Sequence, residues 1–206
     1  ISRESYSNHF ANALDGIDLD NPGKALDRSG EEVYVPRITG EIRRRHAVGV
    51  DAVRFLRSLT ERTIKFTVPG PFTMSQQAQD DHYGSRAAAA MDYARAVNEE
   101  VRDLFAAGAD IVQLDEPYMQ ARPDQAREYG LEALNTALEG VGGTTCVHIC
   151  FGYAALIHAR PEGYSYLPEL AGSCCDQISI ETAQSNLDCS FLDSLPDKQI
   201  LLGVLD

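Results

Sequence analysis

The run Asp110-Ile111-Val112-Gln113-Leu114-Asp115-Glu116-Pro117 is the clearest guide to the architecture. Written as a strand, it turns Val112 and Leu114 to one face and Gln113 and Asp115 to the other, because successive side chains point to opposite faces. The same alternation marks residues 63–68, where Ile64, Phe66 and Val68 oppose Lys65 and Thr67, with the bend Pro69-Gly70-Pro71 expected to end pairing. It recurs in 144–151, where Val147, Ile149 and Phe151 oppose His148 and Cys150, and in 177–182, where Ile178 and Ile180 oppose Ser179 and Glu181. Residues 199–206 complete five strand-like runs. In an open doubly wound sheet both faces meet helices, so strands should be apolar throughout. Here one face stays polar and its reactive groups gather toward the strands' C-terminal ends, as at the mouth of a parallel barrel.

Helical periodicity lies between these runs. Residues 50–60 repeat Val50, Val53, Leu56 and Leu59, with Phe55 beside them. Residues 85–108 carry Ala87, Met91, Ala94, Val97, Val101, Leu104 and Phe105 on one stripe and stop at Gly108. Residues 123–141 open on a proline, a favoured first-turn residue, and read as one helix. Shorter helical pieces are expected at 167–172 and 187–195. Residues 1–49 read as the least regular part, with turn signals at Asp15-Gly16, Asn21-Pro22-Gly23 and Ser29-Gly30, and a short strand at 32–38 weakened by Pro36. Strand and helix alternate every twenty to forty-five residues, roughly, which predicts a single α/β domain over 1–206 with a mostly parallel sheet. A (β/α)8 TIM barrel typically needs ~250 residues, so the expectation is a barrel only partly covered by 206 residues. The Ile1 start and the stop at Asp206, within a strand-like run, point the same way.

Composition narrows the function classes. Hydrophobic residues make up 44% and charged residues 24%, an ordinary globular balance. A net charge of −13 and a pI near 4.7 argue against nucleic acid or an anionic membrane as the main partner. No apolar run approaches the ~20 residues that span a bilayer. Five cysteines without regular spacing suit a reducing, cytoplasmic setting with free or metal-bound thiols. Among them, Cys150 shares a strand face with His148, and Glu181 stands at the end of the next strand. A sulfur, an imidazole and a carboxylate at two successive strand ends form a zinc-type ligand set. Cys146 reads as a small buried residue deeper on the same strand, Cys174 and Cys175 as structural, and Cys189 as helix packing. Glu116 is expected to face helices or an ion pair. His82 and His158 read as surface residues, and Tyr118 and Tyr153 as candidates for a pocket wall.

At Asp115-Glu116-Pro117, His148-Ile149-Cys150 and Ile178-Ser179-Ile180-Glu181-Thr182 the chain resembles the catalytic domain of cobalamin-independent methionine synthase, in its short single-barrel form. The resemblance runs from about residue 63 to 206, and the three motifs occur in the family's order, each at a strand end. It implies that His148, Cys150 and Glu181 are zinc ligands, that Asp115 holds the amino group of homocysteine, and that Pro69-Gly70-Pro71 lies beside the methyl donor. It also implies that the five strands are the third to the seventh of the barrel. The first, second and eighth would be missing or truncated, with a fourth ligand (a cysteine) and a proton-donating histidine past Asp206. Folate-dependent members carry a tryptophan soon after the Gly-Pro bend. The nearest counterpart here is Gln77, and the chain has no tryptophan, which leaves the donor open.

The expected activity is therefore zinc-dependent transfer of a methyl or other alkyl group to a small thiol, homocysteine foremost, giving methionine. Three other readings stay open from the residues: an epoxide or alkyl transferase using a coenzyme-M-type thiol, a metal-free enzyme of the uroporphyrinogen decarboxylase type, and a barrel holding structural zinc. Structural sites are closed by four ligands, typically with Cys-x₂₋₄-Cys pairs. Cys146 and Cys150 are the nearest approach to one.

Overall fold

The computed structural model describes residues 6–152, 163–183 and 186–205. A short helix α1 (Tyr6–Ala11) leads into two long strands, β1 (Leu14–Leu26) and β2 (Glu32–Arg44). Helix α2 (Val50–Leu59), strand β3 (Lys65–Pro69), helix α3 (Pro71–Gln76) and the two-residue β4 (Gln79–Asp80) precede the long helix α4 (Arg86–Ala106). Strand β5 (Ile111–Asp115) is followed by α5 (Pro117–Ala121), α6 (Pro123–Gln125), a π-turn (Ala126–Gly130) and α7 (Leu131–Leu138). Strand β6 (Thr144–His148), helix α8 (Leu167–Leu170), strand β7 (Gln177–Glu181), a 3₁₀ turn (Ser190–Ser194) and strand β8 (Gln199–Gly203) follow.

The expected alternation is present. β3, β5, β6, β7 and β8 form one sheet in that order, every pair parallel. Val112, Leu114, Val147, Ile178 and Ile180 are buried on the helix-covered side, whereas Gln113, Asp115, His148, Ser179 and Glu181 remain partly accessible on the other. Register then sets the functional row: Pro69 pairs with Asp115, Asp115 with His148, and His148 with Ser179. Pro69 is thus the last paired residue of β3 rather than a breaker ahead of it. It stands at the strand's end, where its missing N–H costs least.

The long amphipathic helix is α4, whose buried face includes Ala94, Val97, Val101 and Leu104. The Ser85 side chain accepts from the Ala88 N–H at 3.3 Å, and Gly108 takes φ +106 just past the end. Glu100, on the same helix and 1% exposed, accepts from the Val48 and Gly49 N–H groups and pairs with Arg44 at 2.7 Å. That carboxylate caps the start of α2 from a neighbouring element. α2 itself buries Val50 and Val53 but leaves Phe55, Leu56 and Leu59 exposed. The single helix expected over 123–141 stops at Leu138, where Glu139 turns extended, and within it Ala126–Gly130 widens into a π-turn.

Three expectations are corrected. The first segment is not irregular: β1 and β2 form an antiparallel hairpin, and β2 adds β4 in parallel through Arg37 and Ile38. The turn signals at Asp15-Gly16 and Asn21-Pro22-Gly23 sit inside β1, at register shifts between Asp15 and Ile17 and between Asp18 and Gly23. Bulges use the same residues as turns. Gly16 takes φ +77, and a Cβ there would lie 2.4 Å from the Glu41 carbonyl oxygen. Pro36 falls between the paired residues Val35 and Arg37, where no ladder N–H is needed. Second, the piece expected at 187–195 is a 3₁₀ turn of five residues. Third, Cys189 is exposed rather than packed. His158 and Tyr153 lie outside the described residues.

Candidate metal and substrate site

β6 ends at His148 and the chain continues through Ile149, whose N–H donates to the Ser179 carbonyl at 3.1 Å. That bond keeps residues 148–150 alongside β7 and preserves the alternation, so Ile149 is buried while His148 and Cys150 face the same side. Glu181, the last residue of β7, arrives from the adjacent strand. One ligand atom from each of His148, Cys150 and Glu181 lies within 4.8 Å of the others. Among the described residues this is the one group of three or more such side chains close enough to share a metal ion. His148 Nδ1 lies 3.1 Å from Ser179 Oγ, which fixes the ring and leaves Nε2 for another partner. Glu181 Oε2 is buried without a hydrogen-bond partner among the described residues. The Tyr164 hydroxyl clamps the Glu181 backbone, accepting from its N–H at 2.8 Å and donating to its carbonyl at 2.9 Å.

These three side chains line a cleft of about 600 Å³ together with Asp115, Arg28, Gln77 and Tyr118. Asp115 is held in the row by the Gln113 amide at 2.7 Å, and its carbonyl accepts from the Gly70 N–H at 2.9 Å. Glu116 turns away from the cleft, facing the helices as expected. It is fully buried and accepts from the Phe72 N–H at 3.0 Å, the Thr73 N–H at 2.8 Å and the Thr73 hydroxyl at 2.7 Å. Burial pushes its carboxyl up to about 7, against the pull of those three donors. No lysine or arginine among the described residues pairs with it, so the helix start takes the place of an ion pair.

The remaining thiols separate by environment. Cys146 is fully buried on the same face as His148, between Lys65 Nζ and Gln113 Oε1, each at 3.5 Å from its sulfur. Burial raises its pKa to about 11. Burial also raises the Cys150 thiol, while the Arg28 guanidinium, 3.6 Å from the sulfur, pulls the other way. Cys175 is buried against Ser173, and Cys174 is exposed beside Asn135. His82 is exposed, as expected for a surface histidine. Tyr118 does line the cleft. Arg28, Ser179 and Tyr164 were not legible as site residues. Arg28 comes from the hairpin tip, 122 positions before Cys150, and no spacing rule links the two.

Across its whole length, residues 1–206, the chain matches the family model described as the cobalamin-independent synthase catalytic domain. The chain belongs to that family. Among curated members, it is 29% identical over 180 residues to a methionine synthase of Sulfolobus acidocaldarius, covering 86% of this chain and 50% of the relative. It is 28% identical to the methionine synthase of Sulfurisphaera tokodaii, covering 100% of this chain and 58% of that one. A B12-independent methionine synthase from Shewanella sp. W3-18-1, solved in complex with selenomethionine, superposes with a TM-score of 0.90 at 31% identity, over 98% of this chain and 63% of the other. A methyltransferase from Methanosarcina mazei shares the fold at a TM-score of 0.65 and 15% identity. The chain thus spans about half of the curated relatives' length. No helix among the described residues is long and apolar enough to cross a membrane.

Proposed function

We propose that this synthase-family chain carries the thiol-activating part of a zinc-dependent methyltransferase that moves a methyl group to the sulfur of homocysteine, giving methionine. The observation that carries the reading is the convergence of His148, Cys150 and Glu181 within 4.8 Å on one wall of the cleft that Asp115 also lines. The donor set fits zinc: soft sulfur, imidazole and carboxylate are its ordinary ligands, and Glu181 Oε2, buried with no hydrogen-bond partner among the described residues, lacks the partner an ion would supply. His148, Cys150 and Glu181 would hold the metal, and Asp115 would bind the substrate ammonium.

A free thiol titrates near ~8.5 and is mostly protonated at neutral pH, yet the thiolate is the nucleophile. Bound zinc supplies the positive charge that ionises a coordinating thiol. Asp115, paired in register with His148, ties the amino end of the substrate one strand away from the ligand set. Ser179 holds the His148 ring, and Tyr164 holds the Glu181 backbone. With the substrate fixed at both ends, sulfur and methyl donor need to meet in line at ~3–3.5 Å. The selenomethionine complex of the Shewanella relative supports a methionine-sized amino acid as the product. The open five-stranded sheet, with a polar face and reactive strand ends, supports reading 1–206 as one domain forming an arc of a (β/α)8 barrel. Five free cysteines suit a reducing, cytoplasmic setting.

The test is metal analysis of the purified chain beside His148→Ala and Cys150→Ala, joined to a thiol-dependent methyl-transfer assay. Wild type should hold stoichiometric zinc, and both variants should lose it together with turnover. Full metal content in both variants would remove these residues from the ligand set.

A further inference from the structure

The β1–β2 hairpin delivers one cation to the cleft. Among the described lining residues Arg28 is the only arginine or lysine, and it shares the wall with the carboxylates of Asp115 and Glu181. Its guanidinium Nη1 lies 3.6 Å from Cys150 Sγ, a weak acceptor that engages one of five N–H donors. Arg28 makes no ion pair with a carboxylate among the described residues. The tip that carries it is built to hold a position. Asp27 Oδ1 accepts from the Ser29 N–H at 2.7 Å, the Ser29 hydroxyl at 2.6 Å and the Glu31 N–H at 3.0 Å. Arg122 donates to the Leu26 carbonyl and, at 3.4 Å, to that of Asp27. Both guanidinium groups lie over the Tyr118 ring, Arg28 6.0 Å and Arg122 5.3 Å from its centroid.

We propose that Arg28 receives the carboxylate of the thiol substrate and so makes the cleft selective for an α-amino-acid thiol over a thiol with an amine alone. This rests on the thiol-methylation reading above. The charge arrangement carries it. A substrate whose ammonium and carboxylate sit on one carbon brings one charge to Asp115 and the opposite one beside it. Among the described lining residues the carboxylates are those of Asp115 and Glu181, both of like charge to the substrate's, and Arg28 is the one arginine or lysine that offsets them. A guanidinium is the natural partner, since its planar donor fork matches a carboxylate, and anchoring it in advance lowers the ordering cost of binding. Homocysteine places its charged carbon two methylenes from the sulfur, so sulfur near Cys150 and carboxylate near Arg28 belong to one short molecule.

Calorimetric titration of the full chain with L-methionine and with 3-(methylthio)propylamine, the same molecule lacking the carboxylate, tests the assignment in wild type and Arg28→Gln. Wild type should bind L-methionine about ten- to a hundredfold more tightly than the amine. Arg28→Gln should lose that margin while keeping its affinity for the amine within about twofold. Retention of the margin in the variant overturns the Arg28 assignment alone. Equal weakening toward both ligands also overturns it, because a merely structural arginine acts on both. If wild type binds neither ligand, the thiol-methylation reading fails, and this inference with it.

Discussion

Replacing Gly70 by alanine probes how the strand end beside Asp115 is held. Gly70 precedes α3 with φ −76 and ψ 149, a conformation open to any residue, so the backbone is no obstacle. The obstacle is space. A Cβ at Gly70 would lie 2.2 Å from Cδ, 2.3 Å from Oε1 and 2.5 Å from Cγ of Glu116. A side chain on the surface would swing away. Glu116 is fully buried and tied to three donors, so any shift gives up at least the bond from the Phe72 N–H. Overpacking costs about 1–3 kcal/mol and an orphaned buried donor about the same, so Gly70→Ala should destabilise the chain by about 2–6 kcal/mol. For a chain of 206 residues that lowers Tm by roughly 4–24 °C. Thermal and urea unfolding of wild type, Gly70→Ala, Glu116→Ala and the double variant would measure it. Truncating Glu116 opens the space the new methyl needs, so the two changes should couple by about 2 kcal/mol rather than add. A Gly70→Ala cost under about 0.5 kcal/mol, or simple additivity, would refute the packing argument. The site should feel the same shift, because the Gly70 N–H donates to the Asp115 carbonyl and the Glu116 N–H to the His148 carbonyl.

Two further outcomes follow from the site. Ser179→Ala removes the partner 3.1 Å from His148 Nδ1 and should weaken zinc binding by about tenfold or more, read by chelator competition; unchanged affinity would show that the ring is oriented by something else. Burial holds the Cys146 thiol up to about 11, so it stays protonated until the pH nears that value. At pH 8 a thiol reagent should therefore label the exposed Cys174 and Cys189 in the folded protein and reach Cys146 only after denaturation, with mass mapping of the labelled peptides as the check.

The strands of the parallel sheet and the faces they present could be read from residue order alone. A strand's faces follow from a period of two, which is local: Val112 and Leu114 must oppose Gln113 and Asp115 whatever lies beside them. The same holds for His148 and Cys150 against Val147 and Ile149, and for the stripe of α4, whose period is also local. The motifs could suggest a candidate ligand set because His148 and Glu181 each end a strand that periodicity already located, with Cys150 two residues past the first of them. Long-range contacts set the rest. The turn residues Asp15-Gly16 and Asn21-Pro22-Gly23 became bulges because β2 pairs along β1, and that pairing is a long-range choice local propensity does not contain. α3, short and opened by Pro71, has too few residues for a period to emerge, and its start is held by Glu116, more than forty positions away. Glu181 meets His148 and Cys150 only because β7 lies parallel beside β6. Arg28 reaches Cys150 across 122 positions because a folded hairpin spans that gap, and contacts of that kind are set by packing rather than by spacing along the chain.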